Sequence, residues 1–367
     1  FSSPIVLDFA LQDSSHGLVT EFDGNGSGSG TLDLQSSGVT PTGTYAFIFS
    51  GDYGSVPLAT VGNFTLSGAS MAGLEDLNSD GIPYANTLSG TFALGPSSTP
   101  ATQITATGTT NFTITYDVFA IDATHLKFIE MDSAGTLSGD AFAQTSTTLP
   151  TGTLAFSMIG STTTVVTAAG GFMVTDGNGN ITSASTEDIN SSSGTISSTP
   201  NGFSGVVTAG GTGRYTLGTF TGFVGATEFA AYPSSGGVLL LELDNAGLMA
   251  GAAYLQTAGA TLAASQGYAL NLSGANGSAA EVDDIAEFAA ASSGLTVTGV
   301  TDENYAPGGA PNYGLALSGT YTAPDSNGRG AVSAAAGNST NSTLNGGFNV
   351  VYYAVDGTTF PFIEMDQ

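Results

Sequence analysis

Along this chain, short runs of alternating apolar and polar residues are interrupted by Gly, Asn, Asp and Ser. In GTYAFIFSG (Gly43–Gly51), Tyr45, Phe47 and Phe49 share one face of an extended strand, while Ala46 and Ile48 lie on the other. Leu154, Phe156 and Met158 repeat the pattern in GTLAFSMIG (Gly152–Gly160). A period of two, bounded by turn residues, predicts antiparallel β structure. The one stretch with helical spacing is GSAAEVDDIAEFAAA (Gly277–Ala291), where Val282, Ile285, Ala286 and Phe288 would form a short apolar stripe.

Eight strands are predicted between residues 43 and 144, at 43–50, 60–67, 70–77, 86–94, 102–107, 111–121, 125–132 and 136–144. Short connections make neighbours in sequence neighbours in the sheet, so an up-and-down β-barrel is expected, with a β-sandwich as the alternative. HLKFIEMD (His125–Asp132) is apolar on both faces, with Leu126 and Phe128 on one and Ile129 and Met131 on the other. It predicts a strand covered on both sides, as when one barrel packs against another.

The pattern recurs. A phrase of the form Glu, apolar, Asp appears at Glu21, Glu130, Glu242 and Glu364, with spacings of 109, 112 and 122 residues. GTYAFIFSG, GTLAFSMIG and QGYALNLSG keep the same register, as do LEDLN (Leu74–Asn78), TEDIN (Thr186–Asn190) and TDEN (Thr301–Asn304). The repeat is about 110 residues, the size of a small domain. The expected organisation is terminal strands of an incomplete unit over 1–37, repeat 1 over 38–147, repeat 2 over 148–259 and repeat 3 over 260–367. By this alignment, residues 4–36 match the last three strands of a repeat, and repeat 3 has seven strands of eight. An open sheet edge invites pairing. The expectation is that a neighbouring copy supplies a strand there, head to tail.

Composition narrows the partners. Thirty acidic residues stand against Lys127, Arg214 and Arg329, for a formal net charge of −27. Such a surface repels nucleic acid and anionic lipid and suits divalent cations. Cysteine is absent, which excludes disulfides, thiolate nucleophiles and Cys-type zinc sites. No run of ~18 apolar residues crosses a bilayer as a helix.

Candidate chemistry is sparse. In DLNSDG, Asp76, Asn78 and Asp80 precede Gly81 like the first half of a calcium loop, but Thr87 falls where a bidentate carboxylate belongs. In DGNGNITSASTE, Asp176, Asn178 and Asn180 are followed by Glu187 at the twelfth place, with Ile181 where the turn wants Gly. Hairpin turns explain these Asp-Gly and Asn-Gly pairs more simply than calcium. The recurring Glu is read as a structural bond, since a catalytic group copied four times is unusual. Glu75 with Asp76, and Glu187 with Asp188, would serve as glycosidase-like pairs only if folding set other carboxylates opposite. His16 and His125 are equivalent positions that the other repeats replace by Gly237 and Thr359. No nucleophile elbow is present, GASMA (Gly68–Ala72) lacking the final Gly, and the reading is non-enzymatic, with no cofactor. Sequons at Asn63, Asn111 and Asn338 are unremarkable in so Asn- and Thr-rich a chain.

Phrases such as DGNGNIT, SSHGLVTEFDGNGSGSGTLDLQ and DATHLKFIEMDSAGTLSGDAFAQ resemble the repeats of secreted Gly/Ser/Thr-rich proteins from Acidobacteria. The resemblance implies a bacterial, exported or cell-surface protein and no assigned activity. The expected function is an extracellular structural protein, the subunit of a filament or surface assembly joined by β-strand complementation, with adhesion as a further role. Alternatives are a secreted small-ligand-binding barrel, against which the bulky Tyr45, Phe47 and Phe49 speak, and a carbohydrate-binding or carbohydrate-active protein, disfavoured by the lack of Trp.

Overall fold

A computed structural model describes the chain except residues 1–4, 24–25, 27, 95–100, 108–112, 134, 163–164, 193, 195–198, 264, 276–280, 292, 307–310, 338–347 and 366–367. The sequons at Asn111 and Asn338, the start of the strand expected at 111 and Asp366 lie outside the described residues.

The described elements are all strands. The N-terminal segment holds β1 (Leu7–Leu11), β2 (His16–Glu21) and β3 (Ser29–Asp33). Repeat 1 holds β4 (Gly43–Tyr53), β5 (Val56–Ser67), β6 (Ser70–Ser79), β7 (Ile82–Leu94), β8 (Ala101–Thr107), β9 (Thr113–Ala120), β10 (His125–Glu130) and β11 (Ser138–Ala143). Repeat 2 holds β12 (Gly152–Ser161), β13 (Val166–Thr175), β14 (Asn180–Ser191), β15 (Asn201–Gly211), β16 (Arg214–Thr221), β17 (Glu228–Ser234), β18 (Gly237–Glu242) and β19 (Ala250–Leu255). Repeat 3 holds β20 (Gly267–Ala275), β21 (Glu281–Ala291), β22 (Thr296–Ala306), β23 (Asn312–Tyr321), β24 (Arg329–Gly337), β25 (Phe348–Tyr353) and β26 (Phe362–Glu364).

The chain clusters into two bodies. The larger comprises Gln35–Ile189 and Ser197–Leu255; the smaller comprises Phe1–Leu34, Asn190–Ile196 and Gln256–Gln367.

In the larger body β4–β11 and β12–β19 each close into an eight-stranded antiparallel barrel, each strand beside its sequence neighbours and the eighth strand beside the first. Two-residue hairpins set this order. Asp80 and Gly81 join β6 to β7 with φ of 50° and 84°, the left-handed pair that matches the twist of the flanking strands. The faces follow the period of two. Tyr45, Phe47, Phe49, Phe64 and Phe128 fill the first barrel, with Phe47 and Phe49 stacked 4.7 Å apart. Gly62, beside Phe47 in the ladder, makes room for that ring, since a Cβ there would collide with it. In the second barrel Phe156, Phe203 and Phe229 play this part.

In the smaller body β20–β26 form a seven-stranded antiparallel sheet and β1–β3 a three-stranded one. The helix considered at 277–291 is instead the strand β21. Its ladders to β20 and β22 put Ala286, Phe288 and Ala290 on the apolar concave side and Asp283 and Ile285 on the other. Pairing on both edges outweighed a local stripe that ran for barely two turns. The expectation that Phe128–Met131 is covered on both faces is also corrected. Leu126 and Phe128 are buried, but Ile129 and Met131 are 47% and 54% exposed. In the equivalent strand of repeat 2, Leu239, Leu241 and Leu240 are all buried.

Candidate functional site at the joint between repeats

The densest polar constellation joins the two barrels of the larger body. The outer faces of β4–β6 meet those of β17–β19 across a buried apolar layer that includes Ala46, Ala59, Val61, Tyr232, Leu239 and Leu241. Small residues on one side let the strands of the other approach. Asp76 sits 2% exposed at this seam, and Arg214 grips it with Nε to Oδ2 at 2.7 Å and Nη2 to Oδ1 at 2.8 Å. The Tyr232 hydroxyl donates to the same Oδ2 at 2.6 Å. Asp76 raises the Arg214 pKa further, and burial together with the Asp76 charge drives the Tyr232 phenol up. The buried carboxylate thus has the bidentate cation and hydroxyl that its burial demands.

A second element is an asparagine clamp. Asn78 Nδ2 donates to the carbonyls of Glu242 and Gly247, both at 2.9 Å, while its Oδ1 accepts from the Gly81 amide. The smaller body repeats this bond. Asn304 Nδ2 donates to the carbonyls of Glu21 at 2.8 Å and Gly26 at 2.9 Å. Within the same body Asn190 donates to the Glu364 carbonyl at 3.0 Å. The asparagine ending each EDLN-like phrase therefore holds the loop of an acidic phrase. Gly26 and Gly247 stand five residues after their glutamates, and Gly135 stands five after Glu130. A Cβ at any of the three would press on that glutamate's carboxylate.

In repeat 2 the acidic phrase sets a carboxylic acid beside an aspartate. Burial, with the neighbouring Asp244 adding to it, pushes Glu242 up to about 9, so it is protonated at neutral pH. Burial also raises Glu130, and Asp132 adds to it; the Leu137 amide donates to Glu130 Oε2 at 3.0 Å. The aspartates tie the loop back: Asp23 accepts from the Val6 amide, Asp132 from Thr115 and Asp244 from Thr227. These bonds give Asp23, Asp132, Asp244 and Glu130 a structural part in their loops.

The candidate calcium residues lie apart. Asp76 serves Arg214 and Tyr232, Asn78 is the clamp, and Asp80 opens the β6–β7 turn. Asp176 caps an exposed turn, accepting from the amides of Asn178 at 2.7 Å and Asn180 at 3.0 Å. Glu187, seven residues further on, is buried, accepts from the Val224 amide at 2.5 Å and is pushed by burial to about 8. Among the described residues no three His, Asp or Glu side chains come together as a metal site. Glu75 and Asp76 alternate across β6: Glu75 turns inward to Thr60 and Asn86, while Asp76 turns out to the joint. His125 bonds Asp140 at 2.7 Å and stacks on Phe142, and exposed His16 bonds Asp13. The sequon asparagine Asn63 is buried in the joint, donating to the Thr212 carbonyl at 2.5 Å and to Gln144 at 3.1 Å.

Sequence reasoning missed Asp76 with Arg214 and Tyr232. The available signal was Arg214 itself, one of three cations in so acidic a chain.

In the smaller body β1 and β2 lie on β20 and β21 as β17 and β18 lie on β4 and β5. Phe22 meets Tyr313 edge to face at 4.5 Å, and Asn271 donates to the Val19 carbonyl at 3.2 Å. Asp302 stands at the place of Asp76, but its partner is another acid. Burial raises it to about 6, Asp8 raises it through a shared hydrogen bond, and the Gly314 amide opposes. A raised carboxyl favours the docked state fully below its free value and loses that contribution as pH rises through about 6. Protection of the Val19 and Phe22 amides, taken relative to intrinsic exchange rates at each pH, should therefore be greater at pH 5 than at pH 7.5, and Asp302→Asn should flatten the difference. Equal protection at both pH values in the unaltered chain would refute the linkage.

Comparison of the chain with protein families, curated proteins and solved structures returns no match.

Proposed function

We propose that this protein is an extracellular structural subunit that polymerises head to tail into a filament or surface assembly by β-strand complementation. One observation carries the reading. In β1–β3, Leu7, Phe9 and Leu11 are 48%, 48% and 66% exposed, and Leu32 and Leu34 are exposed with them. Ladder registers align the first three with Tyr116, Val118 and Ala120, and Leu32 with Ala141, all buried in the first barrel. The N-terminal sheet thus presents an exposed apolar face at positions that line the first barrel. The receiving edges are at hand. In both barrels the eighth strand lies between the seventh and the first, and in repeat 3 the corresponding strands, β26 and β20, are the sheet's two outer strands. β3 is the counterpart of β11 by its pairing with β2, so β3 of a neighbouring copy has the register to pair at these outer strands.

The acidic composition and the absence of Cys suit a durable exported material. Light scattering and negative-stain electron microscopy of the full chain test the reading. Concentration-dependent filaments are expected, and Leu32→Asp with Leu34→Asp should abolish them while leaving the single-copy fold intact, because both side chains are already exposed. A full chain that stays monodisperse and monomeric at every concentration would sink it.

A further inference from the structure

We infer that the inner face of repeat 3 carries a divalent-cation site, with the carboxylates of Asp284 and Glu303 as its ligands and Glu364 beside them, and that its ion is calcium. The site lies within one copy of the chain and within the smaller body, so it is independent of assembly.

Strand ladders locate the same place in each repeat. Asp284 of β21 lies opposite Glu303 of β22 and, on its other side, opposite Leu272 of β20. It shares the inner face of β21 with Ala286, Phe288 and Ala290. In repeat 1 the places of Asp284, Glu303 and Leu272 hold Thr60, Leu77 and Phe49. Glu364 pairs with inward Val350 as Glu130 pairs with Tyr116. At this level the first barrel packs the rings of Phe49 and Tyr116 5.3 Å apart. Repeat 3 has Leu272 and Val350 in place of both rings, and carboxylates in place of the threonine and the leucine. Ring volume is thus exchanged for space and charge at one spot. Repeat 2 sets Ala169 and Ile189 there, again uncharged.

The exchange leaves Asp284 without a partner. Glu303 is fully buried, Asp284 is 2% exposed, and neither oxygen of Asp284 has a hydrogen-bond donor. Like charges opposite each other in a ladder destabilise a sheet, and buried charges need compensation. Burial first, then Glu303, Glu364 and Asp283, hold the Asp284 pKa well above the ordinary carboxylate range. Elsewhere the chain supplies donors: Glu75, the inward carboxylate of repeat 1, accepts from Thr60 and Asn86, both at 2.8 Å, and Asp76 has Arg214. A cation between Asp284 and Glu303 does the same work. Oxygen ligands without His or Cys select a hard ion. The pair is not a ready cage of three side chains. Bidentate carboxylates, backbone carbonyls and water complete the about six to eight oxygens of calcium, whose flexible geometry magnesium does not share. Half-buried Glu364 marks the side open to solvent.

Isothermal titration calorimetry of the full chain with calcium chloride tests the site, in about 0.15 M salt to screen the diffuse attraction of an acidic surface. One saturable calcium site per chain is expected, and Asp284→Asn should weaken it at least tenfold. Asp284→Thr with Glu303→Leu takes the residues that repeat 1 carries at these places, so the fold should survive. This double variant should lose the site and melt above the unaltered chain when calcium is absent, whereas calcium should raise the melting temperature of the unaltered chain only. Tighter binding of magnesium chloride would overturn the choice of ion. No saturable site in the unaltered chain, or undiminished binding in Asp284→Asn, would overturn the inference.

Discussion

Replacing Arg214 with alanine should destabilise the two-barrel body by about 3–5 kcal/mol, the cost of leaving a buried carboxylate without its cation. Asp76 is 2% exposed, and of its partners Arg214 alone carries charge. Tyr232 remains as a donor, but burial and the neighbouring carboxylate already raise its pKa, so it cannot share its proton as an acid would. Denaturant unfolding at neutral pH measures the loss. The double variant Asp76→Leu with Arg214→Met should recover most of it, because apolar groups of similar size need no partner. A loss below about 1 kcal/mol for Arg214→Ala would mean that water reaches Asp76 and the joint is not a dry seam.

Glu242→Gln should have the opposite sign, stabilising repeat 2 by about 2–3 kcal/mol at pH 7. Glu242 is fully buried and pushed up to about 9, so in the folded chain it keeps a proton that it releases on unfolding. Its contribution is complete below the ordinary glutamate value and falls as pH rises through about 9. Glutamine has nearly the same size and shape and has no proton to lose. The gain should shrink toward zero near pH 4, where glutamate is protonated in both states. Glu187, at about 8, adds to the same pH slope, so stability of the unaltered body should decline from pH 5 to pH 9. Destabilisation by Glu242→Gln at pH 7 would show that the carboxylate is ionised in place.

The barrel was legible because its causes are local. Alternation in GTYAFIFSG fixes which side chains point inward, and pairs such as Asp80-Gly81 fix where the chain reverses. Four acidic phrases at nearly constant spacing fixed the repeat. The stretch at 277–291 was harder because Asp284 lies among the inward positions of β21, and this breaks the apolar alternation. Without that alternation, a few apolar residues at helical spacing looked like a stripe.

The candidate site was legible by halves. EDLN and the acidic phrase each stand out as repeats, yet their meeting, Asn78 on Glu242, joins residues 164 apart. Nothing in either phrase names the other, because the bond runs from a side-chain amide to backbone carbonyls, and any residue supplies a carbonyl. Likewise IEMD and LELD are nearly the same words, but Ile129 is exposed and Leu241 is buried. Sequence by itself determined what depends on neighbours along the strand: which side chains share a face, where the chain reverses and the period of the repeat. Tertiary structure alone decided which outer faces are covered, and that Asp76, set in a motif resembling a calcium loop, serves Arg214 instead, since burial is a property of what packs opposite.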